Sequence, residues 1–173
     1  MRRVAAVLSV VAMMLVAANA FAQAKPNFAG TWVREAPAGG PPAGGAPGGG
    51  GGGRGGFGGG GWGMEPTITQ TATTLTVKYM GGGQAPVEVT RTYKLDGTDS
   101  PNEMAGRGGG APTTVISKAA WTGDKLVIKT PQGAGEAVMT VSLVAGKLTI
   151  ETTAPGRGEG AAPTTSTVTY AKK

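Results

Sequence analysis

The residues of this chain best equipped for chemistry lie on one alternating stretch, Val87-Glu88-Val89-Thr90-Arg91-Thr92-Tyr93-Lys94-Leu95. Side chains of an extended strand point alternately to opposite faces, so Val87, Val89, Arg91, Tyr93 and Leu95 share one face. Glu88 and Lys94 share the other. Arg91 is then the only charge on an apolar face. If that face turns inward, the guanidinium needs a buried partner or the anionic group of a ligand, because an unpaired buried charge is costly. Two arrangements answer this need. In one, Arg91, Tyr93 and Val89 contact a small anionic amphipathic or apolar molecule. In the other, Arg91 lies over the ring of Trp32 through a cation–π contact or carries its head to solvent along an apolar stem.

Catalysis has little to work with. The 173 residues include no His and no Cys, which excludes Ser-His-Asp and Cys-His nucleophilic sites, disulfides and zinc fingers. Acid–base work would rest on Asp, Glu, Lys or Tyr, and no paired-carboxylate motif is present. The reading is a non-enzymatic protein with no catalytic residues, no metal and no cofactor. Two other groupings are weaker. Arg54, Phe57 and Trp62 stand in a Gly-rich run, the chemistry of RNA-binding tails, but one such box lacks the repeated basic groups that this mode uses, so nucleic acid is not an expected partner. The runs Gly106-Arg107-Gly108 and Gly156-Arg157-Gly158 have the composition of an anion-holding nest, but are read as flexible loops made soluble by one charge.

The chain begins with a targeting pattern. Arg2 and Arg3 precede the apolar run Val4–Ala18, and Ala18-Asn19-Ala20 and Ala20-Phe21-Ala22 offer cleavage sites. Residues 1–22 are read as a signal peptide, cut within about 20–24, because the apolar run falls short of the roughly 20 residues of a span. The mature protein is expected in the periplasm or outside the cell, with no membrane span and as a monomer. Its formal charge of +6 drops by two when Arg2 and Arg3 leave, an ordinary value for a soluble domain.

The elements that must position Arg91 follow from composition and period. Residues 23–35 hold a first strand. Residues 36–63 contain 17 Gly, which cannot bury enough apolar area to offset chain entropy, and are read as a disordered loop. Residues 64–173 alternate Thr with aliphatics, as in Leu75-Thr76-Val77-Lys78-Tyr79 and Leu148-Thr149-Ile150-Glu151. The predicted strands are 28–34, 66–71, 74–80, 86–95, 113–122, 125–130, 136–144, 147–153 and 165–171. Gly123-Asp124 and Ala145-Gly146 mark tight hairpins within a repeated turn-and-strand unit. The fold class is all-β, an antiparallel up-and-down barrel of about 8–9 short strands, since closure removes exposed edges. A two-sheet sandwich is the alternative.

The segment Asn27-Phe28-Ala29-Gly30-Thr31-Trp32 resembles the opening strand of the calycin barrels, the lipocalins and fatty-acid-binding proteins. The turn Trp121-Thr122-Gly123-Asp124-Lys125-Leu126 is similar to units of small secreted bacterial barrel proteins. The resemblance implies a lipocalin-like barrel whose closed end is plugged by Trp32, with Phe28 and Gly30 beside it. Two functions are compatible with such a barrel: holding a small apolar or amphipathic molecule, or acting as a structural, envelope-associated protein with a filled core and no ligand.

Overall fold

Ten strands succeed one another along the chain: β1 (Gly30–Arg34), β2 (Thr67–Gln70), β3 (Thr74–Gly81), β4 (Val87–Lys94), β5 (Asp96–Met104), β6 (Thr113–Thr122), β7 (Lys125–Gln132), β8 (Gly135–Val144), β9 (Lys147–Ala154) and β10 (Thr164–Lys172). They belong to a computed structural model that describes residues 25–36, 61–81, 86–104, 111–133, 135–156 and 160–173. The signal segment, both Gly-Arg-Gly arginines and most of the 36–63 run lie outside the described residues.

The strands form one antiparallel sheet in the order β4-β3-β2-β1-β10-β9-β8-β7-β6-β5. β1 joins its two halves, pairing Thr31 with Thr67 of β2 and Trp32 with Lys172 of β10. The sheet curls until β4 and β5 meet, giving a nearly closed barrel with ten strands rather than eight or nine. The added strand is β5. Its sequence, Asp-Gly-Thr-Asp-Ser-Pro-Asn-Glu-Met, is poor in strand formers, and Pro101 is tolerated because β5 ends the ladder.

No backbone ladder joins β4 to β5. Side chains close the seam instead: Asn102 Oδ1 accepts from Thr92 N at 2.8 Å, Asn102 Nδ2 donates to Thr92 O at 3.0 Å, and Ser100 Oγ accepts from Lys94 N at 2.8 Å. Ser100 and Asn102 are buried for this reason, on the inward face where an aliphatic residue would otherwise stand. Asn102→Ala should therefore cost about 1–3 kcal/mol, the penalty of stranding partly buried amide groups. Faster hydrogen exchange at Thr92, together with a lower urea midpoint, would report it; an unchanged midpoint would mean that water replaces the amide.

Strand direction divides the barrel into two ends. The base carries four short connections: Thr71–Thr73, Leu95, Gly123-Asp124 and Ala145-Gly146. Positive φ at Gly123 (62°), Ala145 (50°) and Gly146 (78°) fits the tight hairpin turns that the sequence marked. The mouth carries every other connection, including the long one from β1 to β2. The core lies between, built from the inward faces of all ten strands, with Leu75, Val77, Leu126, Ile128, Val141, Leu148 and Ile150 fully buried.

Candidate functional site

At the base, Trp32 is 2% exposed, and its Nε1 donates to Phe28 O at 2.8 Å. Phe28 is buried and stacks on Trp121 with centroids 5.6 Å apart. The strap of residues 25–29 is tied across this end by Gln70, whose Oε1 accepts from Phe28 N and whose Nε2 donates to Pro26 O. Gly30 adopts a φ of 135°, and a Cβ there would come 2.9 Å from Lys172 Cε. Phe28, Gly30 and Trp32 thus stand together at one end, but Phe28 precedes the strand instead of starting it. The cation over Trp32 is Lys172, at 5.7 Å from the ring, and a second lysine, Lys25, lies over Trp121.

Arg91 sits elsewhere. β4 turns Val89, Arg91, Tyr93 and the following Leu95 inward, and burial increases along that face from mouth to base. Val87 is 62% exposed, Val89 half-buried, Arg91 4% exposed and Tyr93 fully buried. The expectation that Arg91 covers Trp32 is corrected. Its Nη1 donates across the seam to the Glu103 carbonyl, and no carboxylate pairs with it among the described residues. The ion pairs that are described, such as Lys147–Glu35 and Lys173–Glu65, are all partly exposed.

Trp62 is the residue that sequence reasoning placed wrongly. The Gly count of 36–63 predicts a disordered loop through Gly63, yet Trp62 is 2% exposed and belongs to the core cluster. Trp62 N donates to Tyr170 Oη at 2.8 Å, and Tyr170 Oη donates to Gly63 O at 3.2 Å. The glycines are required here. A Cβ on Gly61 would meet Tyr170 Oη at 2.5 Å, and one on Gly63 would meet Met80 O at 2.9 Å. An available signal was the cost of leaving a Trp in water, which a Gly-rich setting does not reduce.

The interior therefore gathers Arg91, Tyr93, Trp62 and Tyr170 from β4, the β1–β2 connection and β10. Its hydrogen bonding is incomplete: the Trp62 indole lies beside the Tyr93 hydroxyl, but neither Trp62 Nε1 nor Tyr93 Oη has a partner of good geometry among the described residues. Thr152 Oγ1 on β9 is likewise buried without one. Burial drives the Tyr93 phenol well above the ordinary tyrosine range, with Tyr79 adding to the rise and Arg91 and Trp62 offsetting part of it. Tyr170 is raised for the same leading reason, burial.

These shifts predict a pH response. A phenol whose folded pKa exceeds its unfolded value contributes stability that is complete below the unfolded value, about 10, and is lost as pH rises beyond it. The urea midpoint should fall above about pH 10, and fall less steeply in Tyr93→Phe. Equal slopes in the two proteins would assign the alkaline loss to other groups.

Chemically, the arrangement offers one buried cation and a hydroxyl on an inward face whose exposure rises through Val89 to Val87. No group of three or more acidic residues able to hold a metal ion occurs among the described residues. No protein-family model matches the chain, and no curated protein matches it.

Proposed function

We propose that this is an exported, non-enzymatic, lipocalin-like barrel that takes a small anionic amphipathic molecule through its mouth. The anionic head sits against Arg91 and Tyr93, and the apolar body lies along Val89 and Val87. One observation carries the reading: a guanidinium 4% exposed, met by a carbonyl and by no carboxylate among the described residues. A neutral carbonyl leaves a buried cation without its counter-charge, which a ligand carboxylate, sulfate or phosphate ester supplies. Export rests on the leader pattern, and intact-mass analysis of the exported chain should show a start between Phe21 and Lys25. A retained Met1 on the exported chain removes it.

Titration of a fluorescent fatty-acid-like probe against wild type and Arg91→Leu tests the binding. Loss of the charge should weaken binding by about 2–5 kcal/mol, as truncating one partner of a buried pair does. Stability should change little, because an apolar side chain in place of a buried charge is often neutral. Equal affinity in both proteins would remove Arg91 from the site.

The second reading is a structural, envelope-associated barrel with a filled core. Trp32, Trp62, Tyr93 and Tyr170 all fall inside, and the Arg91–Glu103 bond gives the cation a task in closing the seam. Absence of any probe binding favours it.

A further inference from the structure

We infer that Trp62 is a resident plug of the barrel, occupying the space that a ligand seated on Arg91 and Tyr93 would take and leaving it when that ligand enters. The inference rests on the ligand-binding reading above. It begins from a contrast between two buried indoles. Trp32 belongs to a strand paired on both sides, and its Nε1 is satisfied by Phe28 O at 2.8 Å. Trp62 belongs to no strand, and its buried Nε1 meets the Tyr93 hydroxyl without good hydrogen-bond geometry and has no other partner among the described residues. Its apolar burial is strong, while its polar anchoring depends on a single side-chain group. The Tyr170 hydroxyl accepts from Trp62 N and donates to Gly63 O, and these bonds tie residues 61–63 to β10.

The seat is also imperfect from the barrel's side. Tyr93 Oη has the indole beside it in poor geometry and no other partner among the described residues, where Arg91, two residues up the same face, is met by the Glu103 carbonyl and by no carboxylate. An anionic head would satisfy both groups at once, and withdrawal of the indole would return its N–H to water. Each exchange gives a poorly met buried group a better partner, a difference that separates the plugged from the liganded barrel. The backbone at the plug is built from glycine: Gly61 has φ 120° and Gly63 has φ 66°, conformations that few other residues adopt.

The experiment uses the full mature chain labelled with fluorotryptophan, whose three indoles give separate fluorine resonances, Trp62 being assigned through Trp62→Ala. Dodecanoate should move the Trp62 resonance to its solvent-exposed position and leave that of Trp32 in place. Tyr170→Phe, which keeps the ring volume and removes the hydroxyl anchor, should bind dodecanoate about ten-fold more tightly, because less of the protein is held in the closed state. It also keeps the test sharp if Trp62→Ala folds poorly. Binding with the Trp62 resonance unmoved, or with equal affinity in Tyr170→Phe, overturns the plug and leaves the ligand-binding reading standing. No binding to wild type or to Tyr170→Phe overturns both.

Discussion

Trp62→Ala should lower the unfolding free energy by about 3–5 kcal/mol, the range for emptying a buried aromatic site. The residue follows a run of glycines, where a truncation would ordinarily be silent. It is instead one of the largest fully buried side chains, packed in one cluster with Ile68, Leu75, Tyr93 and Tyr170. Removing the indole leaves a void in that cluster, while the Gly61–Gly63 backbone loses the wedge that keeps it inside the mouth. A urea titration gives the number. A change below about 1 kcal/mol, the level of an ordinary surface substitution, would place Trp62 outside the core. The loss of stability and a gain in dodecanoate affinity should appear in the same variant, since the side chain that fills the barrel is the one a ligand must replace.

Trp32→Ala should cost a similar amount, about 3–5 kcal/mol, by a different route. Here the lost contacts hold the base. Phe28 O loses its indole donor, and Lys172 loses the ring beneath its ammonium. Because β1 joins the two halves of the sheet, disorder at Trp32 reaches both its ladders. The two substitutions should part company on ligand addition: dodecanoate should not tighten on Trp32→Ala, whose mouth is unaltered. Tighter binding there would mean that the base, too, controls access to the interior.

Much of the frame was legible in sequence because its strands obey the period-two rule. Val77, Ile128 and Ile150 fall on the inward faces that alternation gives them, and the inward turn of Arg91 and Tyr93 was read the same way. β5 escaped because its inward positions, Ser100 and Asn102, invert the usual polarity. They serve the backbone of β4, and that partner is invisible to a local pattern. Trp62 escaped for a related reason. A composition argument averages over 28 residues, whereas burial of a single indole depends on what receives it, namely the Tyr170 hydroxyl and the side chains that cluster with it, Ile68, Leu75 and Tyr93. The partner of Arg91 was misplaced because alternation fixes a side chain's face but not its height in the barrel.

The pairing of Trp32 with Lys172 also bears on how the molecule is made. β1 is only five residues long, yet it is the hinge pin between β2 and β10, so the final ladder joins residues from opposite ends of the chain. Until the last strand is available, β1 and β9 each present an unpaired edge, and such edges recruit other chains. The β1–β10 ladder joins residues far apart in sequence, the kind of contact that is slow to form because loop closure precedes its reward. A chain stopped before Thr164 keeps nine strand sequences and has no means of closing them.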